Sequence, residues 1–197
     1  MILQKTFYQQ DLLTVSKRLL GKTLIHKTDD AVTAGKIVET EAYLGPEDKA
    51  AHSSGGRRTP RNEVMYGLKG YAYVYLIYGM YNCINVTAGS VEGKPEAVLI
   101  RALEPVEGLE LMTKRRGALG KQVNLTNGPG RLCMAMGISR VQNMLDLTES
   151  QLFIEDAPEV AAEDVVASKR VGVDYAGDWK DMPWRFYVKN NLFVSKP

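Results

Sequence analysis

The chain has 197 residues, of which 45% are apolar and 24% charged, with a net charge of +2. That length supports one buried core and the composition is ordinarily globular, which excludes collagen-like, low-complexity and disulfide-dense classes; with so little net charge, any nucleic-acid surface must come from local clustering. Cys83 and Cys133 sit in apolar runs without metal-like spacing, no apolar run reaches the ~20 residues of a membrane span, and the first residues lack signal-peptide organisation, so a cytoplasmic protein with two buried thiols is expected.

Residues 10–20 predict a helix, capped by Asp11, with a stripe of Leu12, Leu13, Val15, Leu19 and Leu20 and with Gly21 at its stop. Strands are expected over 22–27 and 34–44, around the turn at Asp29 and Asp30. Pro46 suits the first turn of a short helix aimed toward His52, with Glu47 and Asp48 near its positive end. Residues 53–70 read as a basic surface loop. Tyr71–Tyr78 and Tyr81–Thr87 read as a hairpin joined by Gly79 and Met80. A strand over 96–103, a helix from Pro105 to about Arg116, and a short helix from the Asn127-Gly128-Pro129-Gly130 turn through Met136 follow, with strands near 151–155, 166–173 and 184–194. Strands outnumber helices and connections are short. The predicted fold is α+β: a single domain over 1–197 with a curved, mainly antiparallel sheet, flanking helices and a protruding hairpin.

The most informative string is Val38-Glu39-Thr40-Glu41-Ala42-Tyr43, followed by His52. Strand alternation puts Glu39, Glu41 and Tyr43 on one face and Val38, Thr40, Ala42 and Leu44 on the other, with the two carboxylates roughly 7 Å apart. Desolvating charge on a strand is costly, so two readings fit: a carboxylate pair for acid/base work, or two acids satisfied by arginine and backbone donors. No zinc-deaminase or H-E-x-x-H spacing surrounds His52, so no metal site is expected. In the next loop, Arg57, Arg58 and Arg61 with Asn62 have the composition of a phosphate-contacting segment. Tyr73 and Tyr75 on the following strand offer stacking faces. Tyr78, Met80 and Tyr81 at the hairpin tip suit a wedge between base steps, although a tyrosine-rich core strand also fits.

The strings VETEAYLGPEDKAAHSSGGRRTPRN (38–62), YVYLIYGMYNCIN (73–85), VLIRALEPVEGLE (98–110), GPGRLC (128–133) and, within 170–188, RVGVDYAG and RFYV resemble the alkyladenine (3-methyladenine, or methylpurine) DNA glycosylase family in its bacterial-type form. The resemblance implies a monofunctional base-excision-repair enzyme that needs no cofactor or metal. It would act as a monomer on double-stranded DNA containing damaged purines such as 3-methyladenine, 7-methylguanine, hypoxanthine or ethenoadenine. It implies Glu41 as the general base, Arg101 as the arginine holding the attacking water, Tyr43, His52 and Tyr75 as the rings around the flipped base, and Asn85 and Leu99 as pocket walls. Tyr78 would be the minor-groove wedge, accompanied by Met80 and Tyr81, and Arg57 a backbone contact. The chain departs from the family pattern at Gly67-Leu68-Lys69-Gly70, Arg131 and Met134. Two rivals read from the residues are a nucleoside or sugar hydrolase using Glu39 and Glu41, and a non-catalytic damage-binding module using Arg57, Arg58 and Tyr78.

Overall fold

The computed structural model describes residues 1–117 and 120–196. In chain order the regular elements are α1 (Lys5–Tyr8), α2 (Leu12–Arg18), β1 (Thr23–Lys27), β2 (Val32–Tyr43), β3 (Ala72–Ile77), β4 (Tyr81–Thr87), β5 (Ala97–Glu107), α3 (Leu109–Arg116), α4 (Pro129–Met136), β6 (Leu152–Glu155), β7 (Val165–Ser168) and β8 (Arg185–Val188), linked partly by short 3₁₀ turns. The strands form one antiparallel sheet in the order β3-β4-β5-β2-β1-β6. β2 is long enough to hold β1 along its first half and β8 along its second, with β5 on its other side and β7 beyond β8. The expected α+β class, with a curved antiparallel sheet and flanking helices, is the one adopted. Among the described residues no helix is long and apolar enough to cross a membrane.

Alternation along the strands gives the sheet two faces. Ala42, Val74, Ile84, Val86, Val98 and Ile100 join the main core with Leu12 and Val15 of α2, Met112 of α3 and Leu132 and Met136 of α4. Each valine, leucine, isoleucine or methionine among these contributes ~1.5–3 kcal/mol on leaving water, so this face anchors the sheet. Asp11 caps α2, its carboxylate accepting from Thr14 N at 3.0 Å. The other face carries Tyr73, Tyr75, Cys83, Asn85, Leu99, Glu41 and Tyr43.

Several expectations need correction. Pro105 does not start a helix: β5 continues through it to Glu107, where Pro105 pairs with Gly35 beside a register shift, a place that tolerates a missing N–H. The turn into α3 comes at Gly108, at a φ of 76°, where a Cβ would lie 2.5 Å from the Val32 carbonyl oxygen. The hairpin tip has three residues rather than two, because the ladder resumes at Ile77 opposite Tyr81. Residues 53–70 are not wholly superficial: Asn62, Val64, Met65 and Lys69 are buried. The strands predicted over 166–173 and 184–194 stop at Ser168 and Val188, and the stretches after them fold inward instead. Val38 shares the carboxylate side, packing with Ala102 and Val194, because both strands bulge there: Ile37 pairs with Leu103, Glu39 with Ala102 and Thr40 with Ile100.

Candidate active site

The antiparallel register aligns Tyr73, Asn85, Leu99, Glu41 and Arg185 as successive partners across five strands, so these side chains lie on one face. Glu41 is fully buried. Its Oε2 accepts from the Tyr43 hydroxyl at 2.8 Å, its Oε1 accepts from Val171 N at 2.7 Å, and Arg101 Nη1 lies 3.4 Å from Oε1. The carboxylate is thus held in place by one cation and two neutral donors. Glu39 meets the same arginine at 3.0 Å, but it also accepts from Arg185 and from Ser195. The paired bulges at Val38 and Arg101 aim all of these groups to one side, the use bulges commonly have beside active sites.

Beside Glu41 lies a cavity of about 30 Å³ lined by Tyr43, His52, Tyr73, Tyr75, Asn85 and Ala97, with Ala50 and Met65. Such a space admits about one water, not a purine. The His52 and Tyr75 rings meet edge-on at 4.6 Å, and Tyr73 lies 5.2 Å from Tyr75. The aromatic slot therefore exists but is filled by its own rings. Glu41 does not line it, and the link between them is the Tyr43 hydroxyl. Leu99 is buried next to both Asn85 and Glu41 in the register.

Burial, reinforced by the nearby Arg61 and Arg57, lowers the His52 imidazole from 6.5 to about 4. The ring is therefore neutral at physiological pH, and its Nδ1 contacts the Tyr73 hydroxyl at 2.8 Å. Burial pushes Tyr73 up to about 12, Tyr75 well above the usual phenol value, and Cys83 up to about 11, so these groups keep their protons. Burial first, and the Glu41 charge next, raise Tyr43 as well. A pH dependence follows. Below 6.5 the unfolded chain takes up a proton at this histidine that the folded chain refuses until about 4. The stability contributed by neutral His52 is complete above pH 6.5 and declines as pH falls from there to about 4. Denaturation of wild type and His52→Phe across that range checks this: the wild type is expected to lose stability more steeply, and equal slopes would contradict it.

The basic loop divides in two. Arg57 and Arg61 face outward beside His52, in a cleft they share with Lys49 and Tyr175, and Arg61 stacks on Tyr75 at 4.8 Å. Arg58 is exposed but paired with Glu63 at 2.5 Å and stacked on Tyr66. Asn62, expected on the DNA-facing surface, is buried; its oxygen accepts from Thr59 N and its amide donates to the His52 and Arg57 carbonyls, so it staples the loop instead. At the hairpin tip Tyr78 is 84% exposed, Met80 64% and Tyr81 41%, which leaves the apolar tip unpartnered. Tyr78 has a φ of 51°, and Gly79 follows at 70°. A left-handed conformation is costly for a bulky residue, and such strain gathers at functional sites. A groove of about 590 Å³ runs from Tyr78 and Tyr81 past Arg116 and Arg131 to Arg101, Ser195 and Lys196.

Two supports escaped the sequence reading. Arg170 and Asp48, both fully buried, form a bidentate pair at 2.5 and 2.9 Å. Arg170 also donates to the Ala42 and Trp179 carbonyls and stacks on Tyr43 and Trp184. That pair holds the segment whose next residue, Val171, donates to Glu41. The sequence offered only Asp48 in the short helix expected after Pro46 and Arg170 in the strand expected over 166–173, with nothing to pair them. Ser195 had no signal at all. Among the described residues no cluster of three or more His, Cys, Asp or Glu side chains could hold a metal ion.

Residues 6–192 match the model of the family described as "Methylpurine-DNA glycosylase (MPG)". The chain is 53% identical to a protein of Clostridium acetobutylicum over 99% of this chain and 98% of the relative, 49% identical to one of Desulfitobacterium hafniense over 98% of each, and 50% identical to one of Bacillus cytotoxicus over 96% and 97%. Each of these relatives carries the name "Putative 3-methyladenine DNA glycosylase". With the family matched along nearly its whole length, the chain belongs to the methylpurine-DNA glycosylases.

Proposed function

We propose that this protein removes alkylated or deaminated purines from double-stranded DNA by direct hydrolysis of the N-glycosidic bond, with Glu41 as the general base. A sugar carbon inside a duplex is out of reach, so the damaged nucleotide must swing out; unstacking costs a few kcal/mol, least at a damaged or mispaired base. The Tyr78 wedge offsets part of that by filling the vacated gap. The purine parts His52 from Tyr75 and lies against Tyr43. Neutral imidazole and phenol faces attract a cationic N-alkylpurine by ~0.5–2 kcal/mol without opposing its charge. Asn85 stands on the same wall, its amide donating to the Tyr73 carbonyl at 3.1 Å. Glu41, with Arg101, holds a water, accepts its proton and stabilises the positive charge that grows on the sugar.

The observation that carries this reading is the Tyr43–Glu41 hydrogen bond, which joins an aromatic cavity to a buried carboxylate on one sheet face. A carboxylate-pair glycosidase fits less well, because Glu39 is already occupied by two arginines and Ser195. Among the described residues no lysine lines the cavity, which leaves a Schiff-base lyase step without its amine. The reading is tested by base release from duplexes carrying 3-methyladenine, 7-methylguanine, hypoxanthine or ethenoadenine at one salt concentration. Free base is expected from at least one of them, with the DNA strand left intact at the abasic site; release from none would refute the reading.

Tyr78→Asn separates the wedge from the chemistry. Asparagine tolerates the left-handed backbone, so stability should rise by roughly 0.5–1 kcal/mol. Loss of the ring should weaken binding to abasic-site duplex about tenfold, ~1.4 kcal/mol. Opposite signs in denaturation and DNA titration are expected, and unchanged affinity would contradict the wedge.

A further inference from the structure

Resting on that glycosylase reading, we propose that Glu39 and Ser195 are positioning residues: the segment after β8 crosses back over β2 and β5 as a strap and aims Arg101 at Glu41. Glu39 is fully buried. Its Oε1 accepts from Arg101 Nε at 3.0 Å, Arg185 Nη1 at 2.8 Å and Ser195 Oγ at 2.9 Å, and its Oε2 accepts from Ser195 N at 2.7 Å. A carboxylate held by four donors on packed groups is an anchor of fixed direction.

The guanidinium of Arg101 is a rigid planar fork, so fixing two of its nitrogens fixes the third. Nε is held by Glu39 and Nη2 by the Ser195 hydroxyl at 3.3 Å, which leaves Nη1 directed at Glu41 Oε1, 3.4 Å away. Ser195 itself is secured on both sides. Val194 packs with Val38 and Ala102 at the paired bulges, and Arg185 Nη1 donates to the Lys196 carbonyl at 2.7 Å while holding Glu39. Charge follows the same logic: two acids face two arginines, and without Glu39 both cations would bear on Glu41 alone. The strap borders the groove that begins at Tyr78, so it is a wall of the DNA-facing side and not a remote brace.

The test compares the full-length wild type with Ser195→Ala, Ser195→Thr and Glu39→Gln. Single-turnover release of 3-methyladenine from duplex DNA is measured with protein in excess, and affinity is measured on abasic-site duplex. Misaim of a catalytic pair is paid in rate, not in ground-state affinity. Ser195→Ala is expected to slow release about tenfold with affinity within about twofold, Ser195→Thr to stay within about threefold of wild type, and Glu39→Gln to slow release about 100-fold or more. Wild-type rates in Ser195→Ala, equal losses in the alanine and threonine variants, or a loss in affinity matching the loss in rate would each overturn the strap while leaving an active glycosylase. Absence of release by the wild type from all four lesion duplexes would instead remove the reading beneath it. Should Glu39→Gln fail to fold, the two serine variants decide the matter alone.

Discussion

Glu41→Gln should abolish base release, slowing single-turnover excision by about 10³-fold or more, while lesion-containing duplex still binds. Glutamine keeps the shape of the side chain. Its oxygen can accept from Val171 N, and its amide can donate to the Tyr43 hydroxyl, which turns to accept. Arg101 retains Glu39 as its ion partner. What disappears is the negative charge: no base remains for the water, and no anion faces the sugar as it becomes cationic. Excision near the wild-type rate would show that another group is the base. The nearby alternatives are poor, since His52 is neutral with little basicity at about 4 and the Cys83 thiol is pushed up to about 11.

Asp48→Ala should be the most damaging single change to stability. It leaves the fully buried Arg170 guanidinium without its bidentate partner, and breaking a buried pair from one side costs about 3–5 kcal/mol. In a domain of this size that is a fall of roughly 6–20 °C in Tm. Asp48 also accepts from Leu44 N and Ala50 N, so the turn after β2 loosens too. Excision should fall with stability, because Arg170 stacks on Tyr43 and precedes the Val171 amide that binds Glu41. Asp48→Leu combined with Arg170→Met should recover part of the lost Tm, since an apolar pair leaves no charge stranded. A Tm for Asp48→Ala within about 2 °C of wild type would mean the pair is not a structural clamp.

What was legible in the sequence was local. The cap at Asp11, the antiparallel strands and the shared face of Glu41 and Tyr43 follow from propensity and from a period of two. What depended on distant partners was not legible. Pro105 fits a helix start as well as a strand bulge, and only pairing with Gly35 decides between them. Alternation placed Val38 with the core, but a bulge in each of two neighbouring strands reversed it. The apolar run Val171-Gly172-Val173 suggested a strand, yet Arg170 is drawn inward to an aspartate 122 residues away and takes the chain off the sheet edge. Asn62 sat among arginines as if it were one of the same surface, whereas its amide has two donors and an acceptor that four loop groups satisfy. Arg101 was assigned by resemblance alone, because its aim at Glu41 is set by the bulge and by Ser195, neither of which leaves a periodic trace.

The most direct test of the central claim, that a buried glutamate activates water against the glycosidic bond of a nucleotide swung out of a helix, is the rate of base release from the same lesion in two contexts. Each of the four lesions in duplex DNA and its matching free deoxynucleoside are given to the same wild-type protein at equal concentration and salt. The account predicts free base from at least one duplex and essentially none from the matching nucleoside, because the wedge and the basic loop act only on a double helix. Equal release from both, or release from the nucleoside alone, would contradict it.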